Sequence, residues 1–333
     1  MKPDFAFPDL GEFRFVSEIL KEGADLDTAP IPEARRGWFS AGDDCAQFDG
    51  WLVTKDMSAE GTHFRLDWST PEQAVEKNIV SNVSDISAMG GEARIALLGI
   101  CHNKGWSATT RERVAKAFRE GLSRRGIALI GGDTIAADQG LLSLTLLGAP
   151  GEAVLRRNAA TEGDGLYVVG TLGKSAAGLW LVLNHPELKD ACEQYARLVN
   201  YHLCPQIVED AGKKLVEAGV RGACMDVSDG LSSETNHLAL SSGVKIEIDA
   251  EKLPIDEDVV KLSKDFGLDP LEFVLNGGEE YQLLFTSALD ESIFRAKLPF
   301  SVTRIGSVTD GEGVYIKNGK DFKVLSAGAW THL

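Results

Sequence analysis

The residues of this chain best suited to chemistry are aspartates at the ends of apolar runs. Gly42-Asp43-Asp44 is the first group, and Trp51-Leu52-Val53-Thr54-Lys55 ends in Asp56. Ser84-Asp85 lies in a stretch with helical spacing, and Ile127-Ala128-Leu129-Ile130 runs into Gly131-Gly132-Asp133-Thr134. Gly222-Ala223-Cys224 runs into Met225-Asp226-Val227-Ser228-Asp229-Gly230. Carboxylates beside glycines at strand ends are well placed to hold hard cations such as Mg²⁺ against phosphate oxygens. Asp and Gly are also ordinary turn residues. That explains any one group by itself, and explains all of them together much less well.

Each such site needs elements to position it. Asp49-Gly50, with Ala46 and Phe48 before it and Leu52 after it, is a two-residue hairpin signal. The hairpin brings the Asp43/Asp44 end beside the Asp56 end, and a loop is expected from Met57 to Ser69. Thr70-Pro71-Glu72-Gln73 then starts a helix, with Thr70 as N-cap, Pro71 in the first position and Gln73 closing a capping box. Val75, Ile79, Val83 and Ile86 form its buried stripe. Asn78, Asn82 and Asp85 form a second stripe at i, i+4, i+7. A polar stripe is usually a solvated face. These side chains are short and no Lys or Glu interrupts them, which favours the wall of a site.

Further along, Arg94–Cys101 is expected as a strand, Thr109–Arg125 as a helix, and 127–130 and 141–147 as strands. The Gly148-Ala149-Pro150-Gly151 stretch is the natural boundary, giving domains 1–150 and 151–333. In the second half, Leu166–Val169 is expected as a strand, 188–199 and 206–218 as helices, and Lys245–Ile248 and Tyr281–Phe285 as strands. A strand near 302–307 and a hairpin near 313–325 complete it. Gly170-Thr171-Leu172-Gly173-Lys174-Ser175 resembles a P-loop but fails its spacing, which needs glycine where Val168 stands. Its glycine turn into a helix still offers backbone N–H groups, and Lys174 is a secondary candidate for a phosphate clamp.

Composition narrows the class. The chain has 333 residues, 44% hydrophobic and 25% charged, which fits an ordinary α/β globular protein of about two domains. No apolar run spans a membrane and no signal-peptide core precedes residue 10, so a cytoplasmic location is expected and no membrane partner. A net charge of −16 argues against nucleic acid as partner, though not against a nucleotide. The five cysteines form no C-x-x-C, and the six histidines no zinc-hydrolase pattern. Several carboxylates converging on one cleft repel one another unless cations intervene, and at about 4 Å a like-charge pair costs roughly 4 kcal/mol at an effective dielectric near 20. Phosphoryl transfer needs mainly positioning and charge neutralisation, which such a cleft with Mg²⁺ and ATP supplies.

At this point the motifs carry a family resemblance. Gly11-Glu12-Phe13, Gly42-Asp43-Asp44-Cys45-Ala46, Asp56-Met57, Glu60-Gly61-Thr62-His63-Phe64 and Asn82-Val83-Ser84-Asp85-Ile86-Ser87-Ala88-Met89-Gly90 resemble those of the thiamine-monophosphate kinases. So do Leu129-Ile130-Gly131-Gly132-Asp133-Thr134, Gly173-Lys174-Ser175-Ala176-Ala177-Gly178-Leu179, Met225-Asp226-Val227-Ser228-Asp229-Gly230-Leu231 and Gly277-Gly278-Glu279-Glu280-Tyr281. Their order covers nearly the whole chain and is specific where each motif alone is weak. The superfamily includes aminoimidazole ribonucleotide synthetase, selenophosphate synthetase and the hydrogenase-maturation protein HypE.

The resemblance implies a two-domain PurM-like α/β (α+β) fold. Its N-terminal sheets would pair into a barrel across a homodimer, beside a C-terminal α/β sandwich. It implies ATP-dependent conversion of thiamine monophosphate to thiamine diphosphate by direct in-line transfer. Several Mg²⁺ ions would be held by Asp44, Asp56, Asp85, Asp133, Asp226 and Asp229, with Thr54 and the adjacent Lys55 position helping at one ion. Asp44, Asp56, Asp133 and Asp229 would be the catalytic carboxylates. Gly132, Asp133, Arg157 and Ser228 would contact ATP, and His63, Glu279 and Trp330 the thiamine end.

The chain departs from the family pattern in three places. Lys55 stands where a small hydroxyl residue is usual, Leu203-Cys204-Pro205-Gln206 lacks the usual Pro-x-Pro-Arg, and Glu280 replaces Asp. The alternatives are a sister kinase or synthetase acting on another acceptor, and a non-catalytic maturation scaffold. The retained acidic positions disfavour the scaffold.

Overall fold

The computed structural model describes residues 42–328. Gly11-Glu12-Phe13 and Trp330 lie outside the described residues.

The first half follows the order anticipated from its periodicity. Strand β1 (Ala46–Phe48) and β2 (Trp51–Ala59) form the hairpin. Asp49 and Gly50 both have positive φ (48° and 83°), the geometry a two-residue turn needs to match strand twist. Strand β2 continues to Ala59 instead of giving way to loop at Met57. Helix α1 (Pro71–Ala88) begins at the Thr70–Gln73 capping box, with both reciprocal hydrogen bonds formed. Strand β3 (Gly91–Asn103), helix α2 (Ala108–Arg124), β4 (Ala128–Ala137) and β5 (Leu141–Pro150) complete a five-stranded sheet in the order β1-β2-β5-β3-β4. Helices α1 and α2 cover one face of it. Val75, Ile79, Val83 and Ile86 of α1 pack there with Leu52, Leu142, Leu144, Leu146 and Phe118.

Strand β4 differs from expectation. It does not stop at Ile130 but runs through Gly131-Gly132-Asp133-Thr134. Gly132 here serves close strand packing instead of a turn: a Cβ on it would lie 2.0 Å from the Leu98 carbonyl oxygen.

The second half is a seven-stranded sheet, β12-β11-β8-β10-β6-β9-β7, antiparallel except where β11 meets β8. Its strands are β6 (Gly165–Val169), β7 (Cys224–Asp226), β8 (Lys245–Asp249), β9 (Leu283–Ser287), β10 (Val302–Thr309), β11 (Gly313–Asn318) and β12 (Asp321–Val324). The helices are α3 (Lys174–Asn184), α4 (Glu193–Leu203), α5 (Ala211–Ala218), α6 (Leu231–Ser242), α7 (Glu257–Phe266), α8 (Pro270–Leu275) and α9 (Glu291–Lys297). Helices α4 and α5 begin about five residues later than the spacing suggested. Strand β9 begins at Leu283 instead of Tyr281, because Glu279 and Tyr281 have positive φ (60° and 55°) and no strand passes through such residues.

The two halves share a core. Ala88, at the end of α1, packs in a cluster with Tyr167, Ala211, Leu215 and Phe285 of the second half. A Cβ on Gly212 of α5 would fall 1.6 Å from the Ser87 carbonyl oxygen, so glycine is what lets α5 seat against α1.

Candidate active site

Helix α1 organises the site. Its polar stripe faces β2, as its spacing suggested. The Asn78 amide donates to Ser58 Oγ (3.0 Å), and Asn82 Oδ1 accepts the Asp56 N–H (2.9 Å). Thr54 Oγ1 donates to Asp85 Oδ2 at 2.5 Å. Ser84 donates to Asp226 Oδ2, tying α1 to β7 across the two halves. Asn78, Asn82 and Ser84 are fully buried.

The result is a convergence of carboxylates. One oxygen each from Asp44, Asp85 and Asp226 lies within 4.8 Å of the others. Asp44, Thr54, Asp56, Asp85, Arg157, Asp226, Ser228 and Asp229 line one cavity of about 360 Å³, together with Asp43, Glu234 and His237. The converging donors are carboxylate oxygens, with the Thr54 hydroxyl beside them, the hard set that suits Mg²⁺. Asp44 Oδ2 is buried with no hydrogen-bond donor among the described residues.

Burial and mutual repulsion push these acids up. Asp43 is raised to about 7 by burial and by Asp44, and Asp226 to about 8 by burial and by Asp44. Asp85 lies well above the usual carboxylate range through burial and the nearby Asp56 and Asp226. Arg157 opposes this at the first pair. Its guanidinium Nη2 lies 2.5 Å from Asp44 Oδ1 and its Nε 3.5 Å from Asp43 Oδ1.

Of the expected metal set, Lys55 also lines this cavity but turns its side chain away from it, and Asp133 stands apart. Alternation along β2 sends Thr54, Asp56 and Ser58 to the helix-covered face and Lys55 to the other. Lys55 Nζ donates there to Ser143 Oγ (2.7 Å) and Thr145 Oγ1 (3.2 Å), so the lysine does not enter the carboxylate cluster of its own chain. Asp133 and Gly132 sit on exposed edge strand β4, separated from β2 by β5 and β3. At the usual strand spacing that is about 14 Å from Asp56. The register Met57–Ser143–Gly99–Asp133 places Asp133 on the open face with Lys55.

The expected thiamine end assembles at the other end of α1. Lys77, buried at 4% exposure, donates to Glu279 Oε2 (2.7 Å) and to the His63 carbonyl (3.4 Å). His63 Nδ1 accepts the Ala59 N–H at 3.1 Å. His202 Nδ1 lies 3.5 Å from Glu279 Oε2 and 3.2 Å from Ser175 Oγ. Both contacts use one ring nitrogen, so this is no proton relay of the Ser-His-acid kind. Burial alone would raise Glu279, but the Lys77 ammonium outweighs it and holds the carboxylate low. Lys77 and Asp85 are eight residues apart, so the two ends are separated by about 12 Å along the helix.

The P-loop-like turn holds a carboxylate of the protein itself. Glu280 Oε1 accepts the Ser175 N–H (2.8 Å) at the start of α3, and burial raises Glu280 to about 8. Lys174 lies over the Tyr201 ring at 4.1 Å and 3.9 Å from Asp256. Neither group is presented to the carboxylate cavity, which removes Lys174 as a phosphate clamp there.

The chain matches the models for AIR synthase related protein, N-terminal domain, over residues 42–149, and C-terminal domain over 161–317. Thiamine-monophosphate kinase of Aquifex aeolicus is 35% identical over 328 residues, covering 97% of this chain and 98% of that protein. The Mycobacterium tuberculosis enzyme is 33% identical over 320 residues, covering 94% and 89%. The chain belongs to the thiamine-monophosphate kinase family. A solved structure of AaThiL complexed with AMPPCP and TMP superposes with a TM-score of 0.81 at 32% identity, covering 99% of both chains. HypE structures near 20% identity share the fold.

The residues that motif reading left unassigned are Ser84, Lys77, Glu234 and His237. Ser84 and Lys77 were findable from the helical spacing: Ser84 precedes Asp85, and Lys77 is the only lysine of the helix and directly precedes the Asn78 stripe. Glu234 lies five residues after Asp229 and reads as an ordinary first-turn helix acid.

Proposed function

We propose that this chain transfers the γ-phosphoryl group of ATP to the phosphate of thiamine monophosphate, giving ADP and thiamine diphosphate by direct in-line transfer. The observation that carries the reading is the Asp44–Asp85–Asp226 convergence beside Arg157, in a chain alike over nearly its full length to kinases of that name. The orphaned Asp44 Oδ2 and the all-oxygen donor set fit divalent magnesium. Asp44, Asp56, Asp85, Asp226 and Asp229 would hold the ions, with Thr54 orienting Asp85. Bound there, Mg²⁺ supplies charge neutralisation for the polyphosphate.

The chain's own residues do the rest. Arg157 is the cavity's guanidinium and can turn from Asp44 toward a phosphate, a geometry guanidinium suits. Ser228 places its hydroxyl at the mouth of the turn into α6. At the other end, Glu279 is already countered by Lys77, so it acts toward the acceptor as a fixed hydrogen-bond acceptor more than as a lone counter-charge. His63 lies beside it. The 12 Å between the two ends would be bridged by the acceptor, its phosphate toward the carboxylates.

The edge position of Asp133 fits a homodimer. Met57, Leu97, Ile130 and Ile135 are large apolar side chains exposed on the first sheet, and among the described residues β4 is an edge strand. Pairing that edge with the corresponding sheet of a second copy would close a barrel and bring one protomer's Gly132 and Asp133 to the other's cavity. The domains would then be 1–150 and 151–333, and the five free thiols suit a cytoplasmic setting.

The deciding experiment incubates the protein with Mg²⁺, ATP and thiamine monophosphate and separates the products. Stoichiometric ADP and thiamine diphosphate are expected. ADP formed only with a different acceptor would overturn the acceptor while leaving the nucleotide site.

A further inference from the structure

Glu234, on the first turn of α6, lines the carboxylate cavity and is 1% exposed. Its two oxygens have different surroundings. Oε1 accepts the Asp229 N–H at 2.8 Å and lies 3.4 Å from the Ser228 hydroxyl, so it fixes the turn that carries Asp229. Oε2 is buried, and no hydrogen-bond donor among the described residues reaches it. The charges bearing on it are Asp229 and Asp226, both acids. The guanidinium of the cavity is hydrogen-bonded to Asp44, not to Glu234. A helix-capping role explains Oε1 and leaves Oε2 unexplained, since a buried acceptor without a partner costs on the order of 1–3 kcal/mol, more when charged.

We propose that Glu234 is a cation ligand: its Oε2, with the Asp229 carboxylate beside it, takes a divalent metal ion at the α6 wall of the cavity, separate from the Asp44–Asp85–Asp226 convergence. The side chain thus has two functions. One oxygen holds the Asp229 main chain in place, and the other shares the ion that Asp229 faces. This rests on the reading of the cavity as a metal–nucleotide site.

The test counts ions directly. The full-length protein and its Glu234→Gln variant are titrated with Mn²⁺ in the presence of the non-hydrolysable analogue AMPPCP, and bound Mn²⁺ is followed by electron paramagnetic resonance. The glutamine keeps an acceptor for the Asp229 N–H and loses the charge. The expected result is one Mn²⁺ fewer per chain, or one site weakened by about tenfold or more, with the unfolding temperature in chelator unchanged or raised. Equal stoichiometry and affinity in the two proteins overturn the proposal. Absence of Mn²⁺ binding by the unsubstituted protein overturns it together with the metal-site reading, and so separates the two failures. If Glu234→Gln does not accumulate as folded protein, Glu234→Asp provides the same measurement. It keeps the charge but withdraws it by one methylene, and wild-type affinity at every site in that variant also overturns the proposal.

Discussion

Arg157 and Asp44 meet at 2.5 Å, although they come from opposite halves of the chain and are 113 residues apart. This is the protein's own counter-charge at the deepest point of the carboxylate cavity. Burial would otherwise leave Asp43 and Asp44 as two adjacent acids with little water to separate them.

Removing that counter-charge has a defined cost. Arg157→Met is expected to lower stability by about 3 kcal/mol in chelator, because it strands buried carboxylates. Millimolar Mg²⁺ should restore part of that loss, since a bound cation replaces the missing charge. Thermal unfolding of both proteins with and without Mg²⁺ measures this. Equal destabilisation in both conditions would mean that the pair is structural and unrelated to metal.

The separation of Asp133 from Asp226 gives a test that single substitutions cannot. Asp133→Asn and Asp226→Asn are each expected to abolish phosphoryl transfer while leaving the far-ultraviolet circular dichroism unchanged. Mixed after mild dissociation, the two inactive proteins should recover about a quarter of wild-type activity, because half of randomly paired dimers carry one intact site. Complementation of this kind requires Asp133 to act on its partner's cavity. No recovery would place both residues in the same chain's site.

Lys55 makes the opposite prediction. Its side chain points to the open face of the first sheet and binds Ser143 and Thr145. Lys55→Ser should therefore change the half-saturating Mg²⁺ concentration by less than about twofold, in line with the small effect of exposed charges. A larger shift would mean that the lysine side chain reaches the metals in the assembled enzyme.

The pH dependence of stability isolates His202. Burial, reinforced by Lys77, lowers it to about 3, against 6.5 when exposed. At this ring the folded state therefore binds fewer protons than the unfolded state between those values, and the ring's own contribution to stability falls as pH drops from 6.5 toward 3, against the opposite contributions of the raised Asp43, Asp226 and Glu280. This single group accounts for about 2 kcal/mol of loss by pH 5. His237, lowered to about 4, adds to the same slope. Denaturant unfolding of wild type and His202→Gln from pH 7.5 to 5 should show the stability difference between them shifting against wild type by about 2 kcal/mol. A constant difference would show that the ring is not held neutral.

Much of the site was legible because its signals are local. The i, i+4, i+7 spacing of Asn78, Asn82 and Asp85 marks a helix wall, and Asp49-Gly50 marks the turn that brings Asp44 toward Asp56. The element order of the first half follows from the same periodicities. What stayed hidden depends on strand packing and on backbone conformation. Gly131-Gly132 reads as a turn because glycine is the usual turn residue, yet here Gly132 lets β4 approach Leu98. The Tyr281 run reads as a strand because its side chains are apolar, and the positive φ of Glu279 and Tyr281 has no signature in those side chains. The two faces of β2 were readable: period two alone separates Thr54 and Asp56 from Lys55. Helices α7, α8 and α9 are short, of six to ten residues, and give little periodic signal.

Helix α1 is buried in two cores, its middle among the strands of the first sheet and its end at Ala88 among residues of the second half. The helix that presents Asp85 and Lys77 therefore cannot move with one half alone. Ligands must therefore enter a cleft whose walls are built from both halves at once. The same arrangement means that severing the chain after residue 150 would not yield two self-sufficient pieces. Each fragment would expose the surface that the other now covers, and activity should return only when both are present together.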